Sequence, residues 1–441
     1  VPHTADTRID PVVTSDWLTE AMVESGEMSH SGATADREHW MRSTILFLTG
    51  QSVSLFGSSL VQYAILWYLT LETKSGVVLA FATAFGFLPQ AFASVFGGVW
   101  ADRHNRKFLL IGADATIAAT TLVLAVLLWQ GFNGLVLVYV TLAIRSLGAG
   151  VQTPAVGALL PQIVPTERLM RVNGINMSIQ SAMSLLAPAA AAALFAWLGL
   201  QAVLLVDVAT AIVGIALVAL IPVATIVRSD RVAGYFGDLR AGLVYVRRHA
   251  VIRRVLLYFA IVFFLMAPPG YLSPLMVVRT FGEQVWRLTA NELAFGLGML
   301  IGGAAISVWG GWRDRIRMLQ TTSYAFGVLS VGLGLCGSVF GWSGSFVAYL
   351  MVMLLLGGAV AYFSTTVMTL FQEQVEPDMQ GRVFGVQGIV LALAMPLGMV
   401  VFGPLADVVS VEWITIGAGV LTILVTVAMG YRPPRALAPG H

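Results

Sequence analysis

Long apolar runs, separated by short polar breaks, fill the chain from about residue 43 to residue 431. A helix crossing a bilayer needs about 20 mostly apolar residues. Twelve runs reach that length: 43–70, 76–101, 107–130, 134–160, 170–198, 200–226, 254–280, 288–312, 316–341, 344–372, 382–406 and 410–431. In hydrocarbon every backbone N–H and C=O must be bonded within the protein, so single apolar runs of this kind cross as helices. Only 11% of the residues are charged, where soluble domains carry about 25%. Turn sequences such as Gly131-Phe132-Asn133-Gly134 and Gly341-Trp342-Ser343-Gly344 mark the tightest breaks. The connection 227–253 is longer and rich in arginine, and it divides the runs six plus six. The expected fold is therefore an all-α membrane protein of twelve transmembrane helices in two six-helix bundles, 43–226 and 254–431, with an extension (1–42), a linker (227–253) and a tail (432–441).

Charge is unevenly placed. Residues 1–40 hold eight acidic and two basic side chains, which leaves the other 401 residues with 15 acidic and 23 basic. The extension is polar, acidic and without an apolar h-region, so disorder rather than a signal peptide is expected there. In the body, Arg103, Arg106, Lys107, Arg168, Arg171, Arg313, Arg315, Arg317 and Arg382 fall in alternate connections, with the linker arginines on the same side. The opposite side receives only Lys74, Arg279 and Arg287. Basic loops stay in the cytoplasm, which predicts an inner-membrane protein with both termini cytoplasmic. Within the linker, Leu239, Leu243 and Val246 share helical spacing and precede Arg247 and Arg248. That pattern suits either a helix resting on anionic lipid headgroups or a tether between the halves.

The halves echo each other. Gly98-Val99-Trp100-Ala101-Asp102-Arg103 recurs as Gly310-Gly311-Trp312-Arg313-Asp314-Arg315, 212 positions later, and Arg171-Val172-Asn173-Gly174 recurs as Arg382-Val383-Phe384-Gly385. Internal repeats in a membrane chain are a common build for secondary transporters. The loop formed by Gly98, Asp102, Arg103, Arg106 and Lys107 resembles the signature loop of the major facilitator superfamily, G-x-x-x-D-R-x-x-R-K. Gly310, Asp314 and Arg315 form a shorter second copy. The stretch from Gly50 to Ser59, Trp67-Tyr68-Leu69-Thr70, and Leu160-Pro161-Gln162 further resemble the drug-exporter-like branch, which includes macrolide efflux proteins and the enterobactin exporter. The resemblance implies two pseudo-symmetric halves that rock about a central cavity, with the two loops as conformational-switch motifs. It also implies export of a small, amphipathic molecule in exchange for protons, with no enzyme activity and no cofactor. One departure stands out. Where antiporter members carry G-x-x-x-G-P-x-x-G-G, this chain reads Met183 to Ala192, and of that pattern it keeps Pro188 and small residues.

Arg145 lies about eleven residues into the fourth run, near mid-membrane at about 1.5 Å per residue. A charge there is costly unless it meets a partner or water, so it marks either a coupling site or a structural ion pair. Its arginine-containing motif resembles the fourth-helix motif linked to proton coupling in the family. Asp114, Asp207 and Glu292 are the embedded carboxylates that could partner it and load and release protons, while Asp407 reads as an interfacial cap. Gln51, Ser54, Ser58 and Gln62 form one polar stripe, and Asn176 and Gln180 belong to another. Such stripes face protein or water, either bonding neighbouring helices or contacting substrate. Phe263 and Phe264 are candidates for a greasy cavity wall. Cys336 is the single cysteine, no histidine lies deep in an apolar run, and no HExxH occurs; metal binding is not expected. The expected partners are a small-molecule substrate, protons and anionic lipid, with no nucleic acid, and the chain is expected to act as a monomer. Uptake by symport and a non-transporting receptor or scaffold remain as alternatives.

Overall fold

The computed structural model describes residues 16–222, 235–338 and 345–429, and every regular element in them is helical. Five helices make the first half: α1 (Asp16–Thr73), α2 (Gly76–Arg103), α3 (Arg106–Trp129), α4 (Leu135–Ile163) and α5 (Thr166–Ala219). The short α6 (Tyr235–Arg248) follows. The second half comprises α7 (Ala250–Leu265), α8 (Ala267–Tyr271), α9 (Ser273–Met276), a π-turn (Val277–Phe281), α10 (Val285–Trp309), α11 (Arg315–Ser338), α12 (Ser345–Gln374), α13 (Pro377–Leu405) and α14 (Val411–Ala428).

Ten of these helices are long and apolar enough to cross a membrane singly. The count of twelve crossings is recovered from two irregular elements. At 54 residues, α5 would measure about 80 Å if straight, far beyond a hydrocarbon core of about 30 Å. Gly199 breaks it at φ 76°, ψ 178°, a left-handed backbone that glycine adopts without a Cβ clash. The start of α5 follows the end of α4, which Arg106 binds through the Ala158 carbonyl at 2.9 Å. Its end is held by Lys107, whose ammonium donates to the carbonyls of Ala219 and Ile221 at 2.7 and 2.8 Å. Both ends of α5 therefore lie on the side of the α2–α3 turn, and the element crosses twice. The seventh run is expected as one helix but is built from α7, α8, α9 and the π-turn. Pro268, Pro269 and Pro274 each lack an N–H, and together they interrupt the ladder.

Two more expectations shift. The extension, expected to be unstructured, is entered by α1, which runs back to Asp16; Ala, Glu and Met there are good helix formers. Residues 1–15, 223–234 and the tail 432–441 lie outside the described residues, as does the turn at 341–344. For the linker helix α6 the structure shows a protein contact. It packs on α13, with Gly242 so near the Arg382 carbonyl that a methyl group would lie 2.6 Å from it. Arg247 and Arg248 stay exposed.

Within the first half, α2 packs on α4, α3 on α4, and α1 on the second arm of α5; within the second, α10 packs on α12, and α11 on α12 and α14. The α2–α4 and α10–α12 pairs occupy equivalent places in the repeat and use the same device. A methyl group at Gly150 would lie 2.6 Å from the Gln90 carbonyl, and one at Gly298 would lie 1.9 Å from the Leu354 carbonyl. With no hydrophobic drive between helices in lipid, such close backbone approach is what holds them.

The halves meet through α2 on α13 and through α5 on α10. Hydrogen bonds between them cluster at the end remote from the basic loops. Asp407, just past α13, caps α2 of the other half. Its carboxylate accepts from the amides of Gly76 and Val77 at 2.6 and 3.0 Å and from the Ser75 hydroxyl at 2.7 Å. Arg279 donates to Asp407 at 3.0 Å and also binds the carbonyls of Ala406 and Lys74. Lys74 pairs with Glu283 beside them. Partial burial raises the Asp407 pKa, but the bonds from Ser75, Val77, Gly76 and Arg279 outweigh it and hold the carboxyl below its ordinary value. The closed arrangement thus prefers the ionised form. Its stabilisation is complete above about pH 4 and fades as pH falls through the depressed pKa. An N-cap of this kind is worth about 0.5–2 kcal/mol. In purified protein spin-labelled at Glu72 and Val408, wild type at pH 7 should show one short distance. Asp407→Ala at pH 7, or wild type below about pH 4, should populate a longer one. Identical distributions would show that the cap does not hold this end shut.

Candidate functional site

Two buried carboxylates stand side by side within the first half, both bonded from α1 and α4. Asp207, on the second arm of α5, is fully buried. It bonds Arg145 of α4 at 2.5 Å, and accepts from Ser58 of α1 at 3.3 Å and Thr121 of α3 at 3.1 Å. Arg145 also donates to the Thr121 hydroxyl and to the Ser58 carbonyl. Asp114, on α3, is 2% exposed. It accepts from Ser54 of α1 at 3.3 Å and from Gln152 of α4 at 2.6 Å, both at Oδ1, and its Oδ2 has no partner. The pattern follows from helix geometry. Ser54 and Ser58 are four residues apart on α1; Arg145 and Gln152 are seven apart on α4; Asp114 and Thr121 are seven apart on α3. Each spacing brings the side chains back to one face, one or two turns along. The result is a ladder of two rungs, the Asp207 rung neutralised by Arg145 and the Asp114 rung carrying no cation.

Close packing holds the ladder in register. A methyl group on Gly57 would lie 1.9 Å from the Thr210 hydroxyl and 3.0 Å from Asp207, so α1 and the second arm of α5 approach backbone to backbone there. Breaking one member of a buried ion pair typically costs about 3–5 kcal/mol, because the remaining charge is stranded.

The ladder borders a pair of contiguous cavities of about 270 and 370 Å³. Leu55, Ser59, Gln62, Leu66 and Tyr271 line both. The first reaches Ser58, Arg145 and Gln152; the second lies between the halves and reaches Tyr63, Gln180, Met183, Gly270 and Glu292. The polar stripe of α1 is thus divided. Ser58 and Gln62 line cavity, while Ser54 is buried against Asp114 and Gln51 is 2% exposed with its amide nitrogen unpartnered. On α5, Gln180 reaches the cavity and Asn176 is not among its lining residues. Phe263 and Phe264 do not line it either. Phe263 packs at a tilt on Phe259 and Phe363, ring centroids 4.5 and 6.0 Å away, in the core of the second half, and Phe264 packs on Phe402 at 5.4 Å. An aromatic pair in an apolar run looks the same whether it faces a cavity or a core, and burial decided for the core. Tyr63, Tyr271, Thr121 and Gln152 were not singled out from the sequence. Thr121 and Gln152 carried a usable signal, since each repeats a charged position two turns along one helix face.

The loop motifs lie about one end, away from the cavities. Asp314 caps its own helix, accepting from the amides of Ile316 and Arg317 at 3.1 and 3.0 Å. Gly310 ends α10 in the left-handed conformation, φ 76°. Arg315 binds the carbonyls of Gly310 and Trp312 and pairs with Glu373 at 3.1 Å. Arg106 and Lys107 tie α4 and α5 to the loop, as above. The surroundings of Gly98, Asp102 and Arg103 lie outside the described residues.

Comparison with known proteins agrees with this architecture. The sequence family described as Major Facilitator Superfamily matches residues 47–399. The chain is 32% identical over 393 residues to macrolide efflux protein A of Streptococcus pyogenes, covering 88% of this chain and 95% of that protein. It is 31% identical over 318 residues to macrolide efflux protein A of Enterococcus faecalis, covering 71% and 96%. Among solved structures, a bacterial homologue of the iron transporter ferroportin in the inward-facing state superposes with a TM-score of 0.69 at 16% identity, over 89% of this chain and 99% of that one. A D-xylose-proton symporter does so with 0.67 at 13% identity, over 88% and 97%. With a family match across most of its length and twelve crossings in two related halves, the chain belongs to the Major Facilitator Superfamily: it is a multi-pass integral membrane transporter of small molecules, not an enzyme.

Proposed function

We propose that the protein exports a small amphipathic molecule, of the kind that macrolide efflux proteins handle, in exchange for protons. The observation that carries this reading is the two-rung ladder beside the cavity. The Arg145–Asp207 rung is balanced in charge, and the Asp114 rung offers an unpartnered carboxylate oxygen. A proton on that oxygen cancels a buried charge, and its loss restores one. The protonation state of the ladder is thereby tied to how α1, α3, α4 and the second arm of α5 pack. The likeness to two macrolide efflux proteins supports the direction of transport. The concentration of arginine on one side supports a cytoplasmic placement of the loop motifs, and the Asp407 clamp then closes the outer end. Alternating access follows if the halves rock about the α2–α13 and α5–α10 contacts. In this cycle Arg315, Arg106 and Lys107 brace helix ends on the cytoplasmic face, and Ser58, Gln62 and Gln180 contact cargo.

Expression in a macrolide-susceptible host should raise the inhibitory concentration of a macrolide several-fold, and an uncoupler should abolish the accumulated gradient. Unchanged susceptibility and unchanged drug content would refute export of that class. The ladder makes a separate prediction. Arg145→Met should lower the melting temperature, with a loss of about 3–5 kcal/mol, and remove substrate-dependent proton movement in proteoliposomes. The double variant Arg145→Met/Asp207→Asn should recover much of the stability, since both charges are gone, yet stay uncoupled. If the double variant regains coupled transport, the rung is structural only.

A further inference from the structure

Among the described residues, the cavity between the halves contains one carboxylate with no cation beside it. Glu292 of α10 lies on its wall, opposite Gln62 and Tyr63 of α1 and near Tyr271 of α8. No lysine or arginine lines that cavity, and the arginine that reaches the adjoining one, Arg145, is already bonded to Asp207. The partner Glu292 has is neutral. Asn291 donates to one carboxylate oxygen at 3.3 Å, and is itself held by the Tyr349 hydroxyl at 2.8 Å and bonded to Ser273 at 3.2 Å. This chain of bonds fixes where the carboxylate sits and brings no positive charge to it.

We infer that the cavity selects organic cations, with Glu292 as the anionic contact and the rings of Tyr63 and Tyr271 flanking the positive centre. A cation that reaches Glu292 favours the ionised carboxylate and is held by it away from bulk water, whereas an anion is repelled. Aromatic faces add attraction for the same sign of charge. The apolar side chains of Leu55, Leu66 and Met183 accept the remainder of an amphipathic molecule. A cargo of matching chemistry therefore carries one positive centre on a mainly apolar frame. Glu292 sets specificity by sign of charge, a role separate from the ladder in the first half. The inference rests on the export reading for the direction of transport, but the binding preference is independent of it.

The test uses the full chain in lipid nanodiscs, with tetraphenylphosphonium and tetraphenylborate as probes of nearly equal shape and opposite charge, against empty nanodiscs. Wild type should bind the cation and discriminate against the anion. Glu292→Gln should weaken cation binding about tenfold or more, roughly 1.4 kcal/mol per decade, with an unchanged melting temperature, whereas Glu292→Asp should stay within a few-fold of wild type. Equal binding of the two probes by wild type, or undiminished cation binding by Glu292→Gln, would overturn the inference. Measuring probe flux in everted vesicles separates the two readings. Cation binding lost in Glu292→Gln with no wild-type efflux sinks export and leaves the selectivity standing; efflux that ignores probe charge does the opposite.

Discussion

Inside a bilayer no solvent is present to complete an unmet hydrogen bond or screen a charge, and the structure is organised around that deficit. Arg145 shows it most plainly. An arginine near mid-membrane is tolerable because three groups from three other helices converge on it: the Asp207 carboxylate, the Thr121 hydroxyl and the Ser58 carbonyl. Each of those partners is thereby fixed as well. The positions of α1, α3, α4 and the second arm of α5 are consequently coupled through one polar cluster, and it sits where a cavity begins.

The same absence of solvent governs how the helices adhere. Apolar side chains gain little by leaving lipid for protein, so contact depends on backbones coming close and on a few polar bonds. Glycine supplies the first at Gly57, Gly150 and Gly298. The second appears at Asp407, where a carboxylate in one half caps a helix in the other. That contact is small and partly exposed, as suits the joint that the proposed alternating access would open. The ladder, by contrast, is buried within one half.

Much of this was legible beforehand. The twelve runs, the six-plus-six division and the repeated loop were visible because apolar length and turn chemistry are local properties. Arg145, Asp114, Asp207 and Glu292 stood out because a charge in an apolar run is conspicuous whatever surrounds it. Asp407 was readable as a cap, but the helix it caps was not, since Gly76 lies 331 positions away. The break-up of the seventh crossing was foreshadowed by three prolines, yet their effect on a span otherwise long enough could not be read from length alone. Phe263 and Phe264 failed for the opposite reason: apolar residues carry no mark of which neighbour they will meet.

The sequence by itself determined that this protein lives in a membrane, how many times it crosses, which ends carry positive charge and which family it resembles, because each of these follows from composition and spacing along one helix at a time. Tertiary structure alone decided which carboxylate pairs with Arg145, that Asp114 is left with a bare oxygen, that Glu292 faces the cavity unbalanced, and that Asp407 joins the halves. Those outcomes depend on distances between helices far apart in the chain, and in lipid such distances are set by where glycine lets two backbones meet and where polar groups bond across them.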